Sequence, residues 1–225
     1  MSPVPPGIET SSRRRPSRRG EPTWELGDGA RRQGDWTEAE YLALDSNRLI
    51  EFTDGVLEFL PMPKLSHARI SRYLSDRLRG YVESRQLGEV FWAPVSVRLR
   101  AGQLREPDVF FLASHRPRTG DVPDGADLVM EIVSPDLKSR RRDFEEKRGE
   151  YAESGIPEYW IVDPETDTVT VLTLTAGAAE YSVAGEYRTG QTAVSALLPD
   201  FMVDVSDCFA AGRGPGDVVG HTSSH

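Results

Sequence analysis

Leu128-Val129-Met130-Glu131-Ile132-Val133 is an apolar run with a single acid inside it. Its length and β-branched content predict a buried strand. A period of two puts Leu128, Met130 and Ile132 on one face and Val129, Glu131 and Val133 on the other. Glu131 is therefore a carboxylate inside an apolar strand. Burying an unpaired ion costs several kcal/mol even after relaxation, so Glu131 requires a cation, a metal or a raised pKa.

Upstream, Pro107 to Leu112 reads as a second buried strand, with Asp108 on the face of Phe110 and Leu112, and Val90 to Leu99 as a third. Arg48 to Phe52 and Val56 to Leu60 flank Asp54-Gly55, a pair that tolerates positive φ and so predicts a hairpin. Between them and the third strand, the stripe Ile70, Tyr73, Leu74, Leu78, Tyr81 and Val82 predicts a long helix over Leu65 to Leu87, with Gly88 as its C-cap. Thr37 and Glu40 have the spacing of a capping box ahead of Tyr41, Leu42 and Leu44. Downstream, a helix over Leu137 to Ser154 ends at Gly155, and Glu158 to Val162 and Val169 to Leu174 form a strand pair across the turn at Asp163-Pro164. This order predicts an α/β fold, a mixed central sheet flanked by helices. Residues 1–35, rich in Pro, Gly, Ser and Arg, and residues 211–225 are expected to be disordered tails around a domain over 36–210.

Composition narrows the setting. The net charge is −9, yet Lys64 to Arg85 carries six bases against two acids, and Leu137 to Arg148 six against three. From Tyr151 to Cys208 the one base is Arg188, so an anionic partner would be met on one side. A single cysteine, Cys208, excludes an internal disulfide and a zinc-thiolate cluster, which points to a cytoplasmic protein. No apolar run reaches membrane-spanning length.

If the strands of Asp108 and Glu131 are neighbours, their carboxylates converge, and paired oxygen ligands with open positions suit magnesium. The alternative for Asp108 is a strand-end acid facing solvent. Phe144, Lys147, Tyr151 and Ala152 share a helical stripe that Lys147 interrupts. Its ammonium either extends past the core to water, pairing with Asp143 at i, i+4, or meets Glu131.

Pro107-Asp108, Glu131-Ile132-Val133-Ser134-Pro135, Arg142-Asp143 with Lys147 and Tyr151, and Gly155-Ile156-Pro157-Glu158-Tyr159-Trp160-Ile161-Val162-Asp163 together resemble the Uma-type restriction endonuclease family. That family lies within the PD-(D/E)XK nuclease superfamily. Glu51-Phe52-Thr53-Asp54-Gly55 and His67 extend the likeness, which runs from about Thr37 to Leu174. The superfamily's third motif carries a lysine two residues after the acid, where this chain has Val133; the resemblance moves that role to Lys147 on the following helix.

The resemblance implies a restriction-endonuclease-like fold and hydrolysis of DNA phosphodiesters by a metal-activated water. Asp108, Glu131 and the main-chain carbonyl of Ile132 would hold Mg2+, with Mn2+ as a substitute, and Lys147 would steady the water. Glu51 either adds an outer carboxylate or lies exposed beside its turn; His67 either contacts phosphate or is a helix cap. Tyr151 belongs to the core, with a hydrogen bond to the site. Arg140, Arg141 and Arg142 either meet phosphates or form a solvated face. A homodimer is expected, because two sites can then cut opposite strands. The rival readings are an inactive binding or regulatory module of the same fold, and a metal-free two-carboxylate sugar hydrolase, in which Lys147 has no place.

Overall fold

The computed structural model describes residues 15–27, 30–46, 48–117 and 120–213. In chain order the regular elements are α1 (Glu38–Leu42), β1 (Ile50–Thr53), β2 (Val56–Phe59), α2 (Leu65–Ser84), β3 (Gly88–Trp92), β4 (Val97–Arg100), β5 (Gln103–Arg105), β6 (Val109–Ala113) and β7 (Leu128–Ile132). They continue with α3 (Leu137–Arg141), one π-helical turn (Arg142–Glu146), α4 (Lys147–Glu153), β8 (Glu158–Asp163), β9 (Thr168–Thr173), β10 (Ser182–Arg188), β11 (Thr192–Val194), β12 (Met202–Asp204) and α5 (Val205–Arg213).

The main sheet has the order β10-β9-β8-β7-β6-β3, with β7 and β8 parallel and the other neighbours antiparallel. Strand alternation divides two layers of core, as period two requires. Leu128, Met130 and Ile132 of β7 pack with Ile70, Leu74, Leu78 and Val82 of α2 and with Val205 and Phe209 of α5. Val129 and Val133 pack on the other side with Tyr151 and Ala152 of α4. Helices thus cover both faces of a mixed sheet, as the element order predicts.

A smaller sheet, β2-β1-β5-β4, encloses its own apolar cluster of Tyr41, Ile50, Phe52, Leu57 and Leu104. The β1–β2 hairpin turns through Asp54 and Gly55, both at positive φ. Gly55 is obligatory there, because a Cβ would lie 2.4 Å from the carbonyl oxygen of Gly34. The Thr37 capping box closes as its spacing indicates, with Glu40 accepting from the Thr37 main chain and returning its own N–H to the Thr37 hydroxyl.

Several boundaries differ from the sequence reading. The run Val90 to Leu99 is two strands in different sheets, β3 and β4, separated at Ala93-Pro94, where proline cannot donate to a ladder. The long helix ends at Ser84 with Arg85 as C-cap; Gln86 takes the left-handed conformation, and the Leu87 N–H returns to the Val82 carbonyl. Gly88 instead opens β3, where a Cβ would lie 2.0 Å from the Leu112 carbonyl oxygen. The helix over Leu137 to Ser154 is interrupted by the π turn, with the Lys147 N–H bonding to the Arg142 carbonyl five residues back.

The tail boundaries also move. Residues 1–14 lie outside the described residues, but the described part of 15–35 is packed. Gln33 is buried and exchanges hydrogen bonds with both main-chain groups of Leu57, and Thr23 accepts from the Trp36 indole. This segment covers the open edge of β2 through polar contacts, so its low apolar content gave no sign of order. At the other end α5 reaches Arg213, and residues 214–225 lie outside the described residues.

Candidate active site

The site forms where the ends of β6 and β7 meet β1 and the π turn. Antiparallel pairing of Val109 with Met130 places Asp108 opposite Glu131 at the next position. The Ile132 N–H donates to Asp108 Oδ2 at 2.7 Å, so the acid one residue before β6 is tied to β7 rather than to solvent. His67, in the first turn of α2, sets Nε2 3.1 Å from the same oxygen and bonds to the main chain of Ile132. Burial acts to raise the Asp108 carboxyl, but His67, Lys147 and the Ile132 N–H together outweigh it and hold Asp108 below the usual range. Reciprocally, burial acts to lower the imidazole, and Asp108 lifts it above its ordinary value.

Glu131 Oε1 accepts from Lys147 Nζ at 2.8 Å and from the Tyr151 hydroxyl at 2.5 Å. Lys147 is 2 % exposed, so it does not extend to water. Its ammonium also lies 3.3 Å from Glu51 Oε1 and 3.9 Å from Asp143 Oδ1. Burial would depress such an amine, yet Glu131 and Glu51 raise it above its ordinary value, so it stays charged. Burial pushes Glu131 up to about 8 against the pull of Lys147, with Asp108 and Asp143 adding repulsion. The central carboxylate is thus short of positive charge.

Glu51 projects from β1 away from Ile50 and Phe52 and is 0 % exposed, which removes the exposed alternative. Arg105 Nε lies 3.6 Å from Glu51 Oε2, while the same guanidinium grips Glu150 through two hydrogen bonds. Burial raises Glu51, and Lys147 and Arg105 outweigh it, leaving its pKa lowered.

Arg105 and Glu106 were not singled out from the sequence, because β5 is a three-residue strand with no periodicity to read. Asp143 was visible as part of the Arg142-Asp143 motif and as a surface partner of Lys147; the structure buries it. Burial and the Glu51 charge push Glu106 up to about 7.

The three arginines separate. Arg140 makes two hydrogen bonds to Asp163 at the end of β8 and reaches Glu165, so its charge is already engaged. Arg141 is exposed against Glu145 and Glu146. Arg142 alone turns to the chamber, 4.0 Å from Glu58 and 3.5 Å from Asp143.

The chamber holds about 40 Å³ and is lined by His67, Glu106, Asp108, Glu131, Arg142 and Lys147 among others. Around it Glu51 Oε2, Glu106 Oε2, Asp143 Oδ1 and Arg142 Nε are buried without hydrogen-bond partners. No group of three or more His, Cys, Asp or Glu among the described residues is arranged to enclose a metal. Magnesium does not require such a cage: it keeps several waters and takes one or two carboxylates plus substrate oxygens. Asp108 and Glu131, facing each other beside orphaned polar atoms, fit that open coordination.

Fold and site together are a mixed sheet whose strand ends bring two carboxylates to one chamber with a lysine. The sequence matches the Uma2 family, described as "Putative restriction endonuclease", over residues 38–206, and the chain belongs to that family. No curated protein matches it. Among solved structures, it is similar to a "putative nuclease belonging to DUF820" from Anabaena variabilis ATCC 29413. The TM-score is 0.62 at 19% identity, covering 79% of this chain and 99% of that one. This likeness shows a shared fold.

Proposed function

We propose that the protein is a metal-dependent endonuclease that hydrolyses DNA phosphodiester bonds, with Asp108 and Glu131 as the carboxylates that hold Mg2+ or Mn2+. The observation that carries the reading is the Asp108–Glu131–Lys147 constellation, in which buried Lys147 reaches buried Glu131 from the helix. When bound, the metal lowers the pKa of water and neutralises charge on the phosphate. Lys147 keeps a fixed positive charge at the chamber wall, where charge develops during hydrolysis. Tyr151 and Lys147 together fix Glu131 Oε1, and Ile132 and His67 fix Asp108 Oδ2. The Ile132 carbonyl remains the third proposed oxygen ligand.

Arg142 is the arginine placed to meet a phosphate. No helix among the described residues is long and apolar enough to cross a membrane. A cytoplasmic setting accords with Cys208 being free and buried. A homodimer would let two such sites act on opposite strands. The test is cleavage of supercoiled plasmid by purified protein with Mg2+ and with EDTA. Cutting is expected only with metal, and Asp108→Ala and Lys147→Ala should abolish it. Full cutting by Glu131→Ala would overturn the assignment.

A further inference from the structure

The chamber of about 40 Å³ can take an ion, a few waters and the edge of a phosphate, but no sugar or base. Whatever flanks the scissile bond must lie outside it. His67 and Asp108 also form the inner end of a second, larger groove of about 500 Å³, within the range of pockets that enclose small ligands. A cavity of that size can hold a nucleotide but does not enclose a base-paired duplex.

One wall of this groove is α2, through Ala68, Ser71, Arg72, Ser75 and Arg79, a stripe at helical spacing. The opposite wall is the end of β3. Period two puts Trp92 on the same side as Val90, facing α2. Val90 is covered, but β3 is the edge of the sheet, and Trp92 is 49% exposed. Both walls are tied to the catalytic acid. Trp92 pairs with Val109, the Ala93 N–H bonds to the Asp108 carbonyl, and the Ser71 hydroxyl donates to that same carbonyl. Arg72 and Arg79 share Asp76 at 3.6 Å and 3.2 Å, leaving one positive charge in excess. Such exposed pairs are weak enough to open toward a phosphate.

We propose that this groove receives an unpaired deoxynucleotide next to the scissile phosphate, with its base stacked on Trp92 and its backbone phosphate met by Arg72 or Arg79. The proposal rests on the nuclease reading and specifies its substrate: single-stranded DNA, or a strand with an unpaired base at the cut. An exposed indole beside exposed guanidinium groups is the combination that binds bases without regard to sequence.

The test is fluorescence anisotropy of a labelled single-stranded oligodeoxynucleotide, and of its duplex, with protein in EDTA. Wild-type protein should bind the single strand more tightly. Trp92→Ala should weaken that binding about 5- to 150-fold, as expected for one lost base stack, while Trp92→Phe restores most of it. Tryptophan emission should be quenched on addition of the single strand, and this quenching should vanish in Trp92→Phe. Equal affinity of wild type and Trp92→Ala for the single strand, or equal affinity of wild type for strand and duplex, would overturn the groove assignment. In that event Mg2+-dependent plasmid cutting would still stand. Failure to bind or cut any nucleic acid would remove both readings together.

Discussion

Replacing Lys147 by Met keeps the length and volume of the side chain and removes its charge. The ammonium sits among Glu131, Glu51 and Asp143 at 2.8, 3.3 and 3.9 Å, and all four side chains are buried. Removing one partner of a buried ion pair costs about 3–5 kcal/mol, because the other charge is left without compensation. For a domain of this size 1 kcal/mol shifts Tm by roughly 2–4 °C, so Lys147→Met should melt about 6–20 °C below wild type at pH 8. The sign of the pH dependence follows from the carboxylates. Without Lys147 the folded pKa values of Glu131 and Asp143, already raised, rise further above the unfolded carboxylate range of about 4, and Glu51 loses a cation that holds it down. The folded variant then binds protons that the unfolded chain does not, and this stability is lost as pH rises through that window. The defect should therefore shrink toward pH 5.5. Thermal unfolding followed by circular dichroism at both pH values is the assay. A variant within about 2 °C of wild type at pH 8 would refute the placement of Lys147, and so would a defect of equal size at both pH values.

Glu131→Gln should raise the Tm of metal-free protein at pH 9 while abolishing Mg2+-dependent cutting. The folded Glu131 pKa of about 8 means that its ionisation above that pH works against folding; a lower Tm at pH 9 would count against this. Arg140→Ala should leave DNA affinity and its salt dependence nearly unchanged, whereas Arg142→Ala should weaken binding, measured by anisotropy across a salt series. The reverse order would show that the Asp163 contact does not hold Arg140 in solution. Glu158→Ala should destabilise by about 3 kcal/mol or more in urea unfolding, because four donors lose a charged acceptor. These are Trp160 Nε1, Ser195 Oγ and the N–H groups of Ala196 and Leu197, all at 2.7 Å. A loss below about 1 kcal/mol would contradict that anchoring role.

Glu158 shows how a motif can be visible while its purpose is not. It belongs to the Gly155–Asp163 stretch that carries the family likeness, yet it holds the loop over Ser195 to Leu197 to the sheet rather than entering the chamber. Trp160 is a near neighbour, but its other three partners are nearly forty residues away, beyond the reach of any local pattern.

What could be read from the sequence was whatever depends on the nearest few residues. Alternation along Leu128–Val133 assigned both faces of β7 and left Glu131 in need of a cation, a metal or a raised pKa, Asp54-Gly55 marked the hairpin, and Thr37 and Glu40 marked a helix start. Each follows from backbone geometry with a period of two or from a turn of four residues. Tertiary structure decided which charges meet. Glu51 meets Lys147 and Arg105 because one face of β1 is taken up by its own small core, and Asp143 is buried with Lys147 where the π turn meets the sheets. Arg140 is drawn to Asp163, across the parallel β7–β8 unit, while its neighbour Arg142 turns inward. Strand alternation is a property of the chain itself, whereas the balance of buried charge depends on how separate sheets stack. The need for a partner or a raised pKa at Glu131 was therefore legible in one strand, and the choice between Lys147 reaching water and Lys147 reaching Glu131 required the whole fold.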